Sequence, residues 1–355
     1  MNEILVKVIT SCQGLAPNST YQVLVGKRTP STLYFAKKHQ LEAYFGLFPQ
    51  LKKSDWGQVL AQQASRQNYS NTKPSFLADL LDYRQGMIFP QNRQKRYEAY
   101  LLLVQAASQL AYGQKRYVTV TQDWEVQQFV KAYFSQLRIQ GREAFTASFY
   151  QEWARLLEDW PQDKADFLLS QFSGHDLPAL AAEDWLDVLQ GQKFTLARHF
   201  VLGRLDQALG SAEACPYLIY FKKGLNRRFP AWKPSADLTL KGLDQGASLA
   251  EVQARRGLKA STLADHLIEV AIFDCDRFLP GLSRALGKAP ESFYEEKAPE
   301  DFASFQDQYG DQAFWLYRVW QIANLEAEGG GLRSCVILSR NYRLILAWTP
   351  LDPVN

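Results

Sequence analysis

Nowhere does the sequence contain the phosphate-binding loop G-x-x-x-x-G-K-[ST], so any ATP hydrolysis linked to this chain has to come from another protein. Cysteine is scarce: Cys12, Cys215, Cys275 and Cys335 are the only four in 355 residues, with no C-x-x-C pair and no histidine at ligand spacing. That argues against structural zinc and fits thiols kept reduced in a soluble, cytoplasmic protein. Long apolar runs are missing too. None approaches the roughly 20 residues that a bilayer-crossing helix needs, and Glu3 and Lys7 interrupt the short apolar start, so neither a membrane span nor a signal peptide is expected. The histidines His39, His175, His199 and His266 lie apart, and the acidic pairs Glu158-Asp159 and Glu183-Asp184 are adjacent in sequence, which points their carboxylates to different helix faces. No catalytic constellation emerges, and neither enzymatic activity nor a cofactor or metal is expected. The formal net charge of +3 is small, so a case for nucleic acid has to rest on where the charges lie.

What the chain does carry is apolar bulk and helical punctuation. Hydrophobic residues make up 46% of it, with nine Trp, seventeen Tyr and twenty-one Phe, enough for two or three helical subdomains with some rings left for contact surfaces. The clearest pattern lies in residues 235–273, where three short helices and two glycine turns have the spacing of a helix-turn-helix unit. A first helix carries Leu238, Leu240 and Leu243 and stops at Gly246. Ser248 and Glu251 form a capping box for the second, which carries Leu249 and Val252 and ends at Arg255-Arg256-Gly257. The third starts near Lys259. On it Leu263, His266, Leu267 and Val270 share the core side, while Ser261, Ala264, Asp265, Ile268 and Ile272 share the side expected to read a target. That reading side offers no Arg, Lys, Asn or Gln to base edges, and the unit holds four basic residues against five acidic ones. It therefore suits a protein groove better than a major groove, with DNA contact and a purely internal packing role as the alternatives.

The rest reads as an all-α, multi-helical array with a second helix-turn-helix candidate at its start. Residues 1–60 hold seven basic residues against three acidic ones; Thr29 as cap and Pro30 as first helical residue mark a helix whose Ser31, Phe35, Lys38 and Glu42 share a face, with Lys27 and Arg28 in the preceding turn available for phosphates. Residues 61–220 form a central array, with a buried helix over 93–111 and further helices at about 123–137, 143–158, 162–172, 178–189 and 193–209. Residues 221–234 read as a basic-aromatic connector, in which Lys222, Lys223, Arg227 and Arg228 alternate with Phe221, Phe229 and Trp232, a composition that grips single-stranded nucleic acid or makes an ordinary amphipathic link. The unit at 235–275 is followed by a helical extension over 276–331 and a tail over 332–355, whose Cys335–Leu338 and Tyr342–Trp348 runs suggest a short β-hairpin.

Three stretches, GKRTPSTLYFA with LEAYFGLFPQL, YLLLVQAASQL, and GASLAEVQARRGLKASTLADHLIE, resemble the YpbB-like proteins of Gram-positive bacteria, which carry a C-terminal helicase-associated helix-turn-helix domain. The likeness extends to about residue 275, with Lys259 standing where that family has a small polar cap. It implies a helper to a RecQ-type DNA helicase in DNA repair or recombination, with that helicase and DNA as partners. A sequence-specific transcription factor and an interaction adaptor without DNA affinity remain the other readings of the same residues.

Overall fold

The computed structural model describes residues 8, 12, 14–64, 92–137, 141–180, 192–211, 214–286, 297–309 and 314–328. Among these the fold is all-α, with fifteen α-helices and no strand. The chain divides into two compact units, Met1–Lys233 and Pro234–Asn355, so the start of the chain and the central array belong to one body. Residues 1–7, the segment 65–91, the part beyond residue 180 of the helix expected at 178–189, and the hairpin expected in the tail lie outside the described residues, and 178–180 are not helical.

In the first unit α1 (Pro17–Leu24) and α2 (Pro30–Lys38) pack as a pair, and α3 (Lys53–Ala64) follows. Helix α2 starts where Thr29 and Pro30 require it: the Thr29 hydroxyl accepts the Thr32 N–H, and proline sits where no N–H is needed. The long α4 (Arg93–Ala111) packs on α5 (Trp124–Gln136) and α6 (Arg142–Leu157). Helices α7 (Gln162–Ser170) and α9 (Pro216–Arg228) both pack on α8 (Gln192–Ser211), and α9 also lies against α5 and α6. Phe221 of α9 is at the centre of this core, its ring 5.5 Å from Tyr100, 5.1 Å from Phe129 and 5.1 Å from Tyr133.

Polar groups lock the same core. Arg96 and Asp206 form a buried ion pair at 2.9 Å, Tyr100 donates to the other carboxylate oxygen at 2.8 Å, and the Lys222 ammonium donates to the Asp206 main-chain carbonyl. Burial alone pushes the Asp206 pKa up, yet the Arg96 and Lys222 charges and the Tyr100 bond outweigh it, so the carboxyl stays below its usual range. At the start of α9 the free N–H groups of Tyr217 and Leu218 donate to the two oxygens of buried Glu152, at 3.0 and 2.9 Å.

The second unit is built around one central helix. Helices α10 (Pro234–Asp244) and α11 (Leu249–Arg256) lead into α12 (Ala260–Phe273), and α13 (Cys275–Leu286), α14 (Phe302–Tyr309) and α15 (Phe314–Glu328) follow. Helix α12 packs on α10, α13 and α15, so residues 235–275 share one core with the stretch after them.

Candidate macromolecule-binding surfaces

The three helices α10, α11 and α12 make the expected helix-turn-helix unit, and local chemistry explains each joint. Ser248 accepts the Glu251 N–H at 3.2 Å while Glu251 accepts the Ser248 N–H at 2.8 Å, which closes the capping box at the start of α11. Helix α11 ends in a left-handed turn at Gly257, with φ of +59°, where the N–H groups of Gly257 and Leu258 return to the carbonyls of Ala254 and Gln253. Where α10 and α11 cross, a Cβ on Gly242 would lie 2.9 Å from a Val252 methyl, so the helices approach as closely as they do because no side chain stands there.

Of the basic pair Arg255-Arg256, one residue faces water and the other is spent on the fold. Arg255 is exposed, 3.9 Å from Glu251. The Arg256 guanidinium donates to the hydroxyls of Ser235, at 3.0 Å, and Thr239. Thr239 Oγ1 in turn lies 3.0 Å from Nδ1 of buried His266. The threonine hydroxyl thus joins the Arg256 guanidinium to the His266 imidazole. His266 is a core residue joining α12 to α10.

The reading side of α12 differs from its sequence expectation. Ser261 and Asp265 are exposed and Ala264 is half-buried, but Ile268 and Ile272 are only 5% and 6% exposed. Helix α12 packs on α10, α13 and α15, and α15 brings the buried residues Leu316, Tyr317, Val319, Trp320, Ile322 and Ala323 to this unit's core. The two isoleucines belong to the core, and the surface open to a partner consists of the outer side of α11 and the start of α12. That start has no side-chain cap: Lys259 occupies the cap position in extended conformation.

The basic residues expected to touch phosphate are dispersed in role. Lys27 and Lys38 are exposed. Arg28 donates to the Ala231 carbonyl at 3.1 Å, beside Asn92, which takes the Pro230 carbonyl at 3.0 Å, and Arg96, which takes the Phe229 carbonyl at 3.2 Å. Arg93 lies in the same cluster, its pKa lowered by burial and then by the Arg28 charge. Lys222 is held on Asp206 and Arg228 on Glu125 at 3.3 Å, while Lys223 and Arg227 are exposed.

The basic-aromatic connector expected at 221–234 is corrected by this geometry. Residues 221–228 are the last two turns of α9, and Phe221, Phe229 and Trp232 are buried. The reason is twofold: Phe221 fills the ring cluster, and three side chains take the carbonyls of the turn after α9. No ring of that stretch is open for a base to stack on.

The chain matches no known family model, no curated protein and no solved structure.

Among the described residues no group of His, Cys, Asp and Glu is arranged to hold a metal ion, and no helix is long and apolar enough to cross a membrane. The described cysteines Cys12, Cys215 and Cys275 are buried, with no disulfide among them. One surface escaped sequence reasoning, the segment 112–120 between α4 and α5, whose residues Tyr112, Tyr117, Val118 and Val120 are exposed. Its signal was there in KRYVTV, an alternating run next to two cations, but a segment between two helices gives no period from which burial is read.

Proposed function

We propose that the chain is a cytoplasmic, non-catalytic adaptor that works with a RecQ-type DNA helicase in DNA repair or recombination, and that it engages its partner through the outer side of α11 and the start of α12. The observation that carries this reading is the open edge of a rigid helix-turn-helix unit: Glu251, Ala254, Arg255, Lys259, Ser261 and Asp265 all face solvent there. The joints of the unit are fixed by Arg256 and His266, so its edge is presented without an ordering cost. The resemblance to helicase-associated helix-turn-helix domains supports the choice of partner. Mixed charge along the edge favours a protein partner over phosphate.

The test is titration of the purified helicase with the full chain and with Asp265→Arg and Ser261→Arg variants. Both positions are exposed, so the variants keep the parent's melting temperature and lose helicase binding by about tenfold or more, a change of about 1.4 kcal/mol. Undiminished binding by both variants refutes the proposed edge. A second reading, direct DNA contact as a transcription factor, is favoured by the uncapped start of α12 beside Lys259, where backbone N–H groups suit a phosphate. Tight, salt-sensitive binding to a duplex without any helicase decides for it.

A further inference from the structure

After α4 the chain runs without regular structure from Gln114 to Asp123, and its backbone there is tied down from both flanking helices. The carboxamide of buried Gln105 donates to the Val118 carbonyl and accepts the Val120 N–H, both at 3.0 Å, as a neighbouring strand does. From α5, Gln127 donates to the Thr119 hydroxyl at 3.0 Å and to the Thr121 carbonyl at 2.8 Å. The Thr119 hydroxyl donates to the Thr121 carbonyl at 2.9 Å, and the Thr121 hydroxyl donates to Glu98. The segment is ordered before anything touches it.

What this fixed segment shows to water does not suit a plain connection. Val118 is 84% exposed and Tyr112 65%, and Tyr117 and Val120 are more than a third exposed. Holding apolar groups in solvent on a pinned backbone gains the isolated chain nothing, and such patches mark contact sites. Lys115 and Arg116 stand exposed among them, with no carboxylate anywhere in residues 112–122. The Arg142 guanidinium of α6 adds a third cation, lying so close to Gly113 that a Cβ there would be 2.6 Å from it. The Tyr112 ring is backed by His175 at 4.6 Å between centroids, and the nearby Asp176 carboxylate lies 3.2 Å from that histidine.

We infer that residues 112–118 together with Arg142 form a binding site for single-stranded nucleic acid. Lys115, Arg116 and Arg142 neutralise phosphates, Tyr112 and Tyr117 stack on bases, and Val118 packs against the strand between them. Exposed rings select an unpaired strand, because a duplex hides its base faces. The basic-aromatic chemistry that residues 221–234 promise and bury is thus displayed elsewhere on the same unit. The inference deepens the helicase-adaptor reading, on which it rests for its biological setting, by naming the unwound strand as what the first unit holds.

The experiment is an anisotropy titration of the full chain against a fluorescein-labelled oligothymidylate at two salt concentrations, alongside a labelled duplex and vesicles containing anionic lipid. The parent binds the single strand more tightly than the duplex and loses affinity as salt rises. Lys115→Ala/Arg116→Ala weakens binding about tenfold or more and flattens the logarithmic salt slope by about 1.4, the share of two cations on a single strand. Tyr112→Ala weakens binding several-fold with the slope unchanged, because stacking releases no counterion. Both variants change only exposed side chains, and their melting temperatures report that the fold is kept. Absence of oligonucleotide binding, equal binding by parent and variants, or preference for vesicles or duplex overturns the inference. Helicase binding without strand binding overturns this inference alone; strand binding without helicase binding overturns the adaptor reading alone.

Discussion

Replacing Arg96 with Met removes the positive half of a buried ion pair while keeping most of the side chain's volume. Arg96 reaches Asp206 at 2.9 Å and the Phe229 carbonyl at 3.2 Å, so the change leaves a buried carboxylate and a main-chain carbonyl short of a donor. The Tyr100 hydroxyl and the Lys222 ammonium nearby soften the loss, but breaking one side of a buried pair costs about 3–5 kcal/mol. That is a large share of the 5–15 kcal/mol that is typical of a folded domain, about. Hydrogen exchange at amides of α4 and α8 measures it, as the free energy of opening of the helices the pair joins. The double variant Arg96→Met/Asp206→Asn recovers at least half of the loss, because the uncompensated charge has gone. The pair also sets a pH dependence. Since the folded-state pKa of Asp206 is lowered, its contribution is present above the ordinary carboxylate value and is lost as pH falls through the lowered one. The parent therefore weakens in the acid range below about pH 4, and the double variant weakens less. An Arg96→Met chain within about 1 kcal/mol of the parent, or a double variant as weak as the sum of its parts, refutes the reasoning.

Two further outcomes follow from the second unit. Ile268→Glu or Ile272→Glu sets a carboxylate in the core of this unit, so either variant lowers the unit's stability by about 3 kcal/mol or more and loses protection at α12 amides; a variant that melts like the parent shows the two positions to be surface. Gly257→Ala keeps the turn after α11 but forces a side chain into the left-handed region, at a cost of about 1–2 kcal/mol read from urea denaturation, and an unchanged midpoint counts against that turn.

What sequence made legible was local. Thr29 with Pro30, and Ser248 with Glu251, mark helix starts within a few residues of the groups they satisfy, and all four stand where a start was expected. The apolar period of 93–111 marks a helix with those bounds. The misplaced surface on α12 has a different cause. Its Ile268 and Ile272 are buried on a helix that packs against three others, one of them starting as far along as Phe314, and a helical wheel says which residues share a side without saying what lies over it. The same holds for residues 221–234: a cation beside a ring reads alike whether the ring packs inward or outward, and only Arg28, Asn92 and Arg96, far away in sequence, turn it in.

The contact of Arg256 with Ser235 and Thr239, and of Thr239 with His266, makes four positions on three helices a single inherited unit. A lysine at 256 has one nitrogen and reaches two hydroxyls badly, and a valine at 239 takes one hydrogen bond from the guanidinium and one from the imidazole. Divergence at any one of the four is therefore tolerated chiefly when the others drift with it. Among descendants of this chain, positions 235, 239, 256 and 266 should change as a set, while neighbouring Arg255 varies on its own.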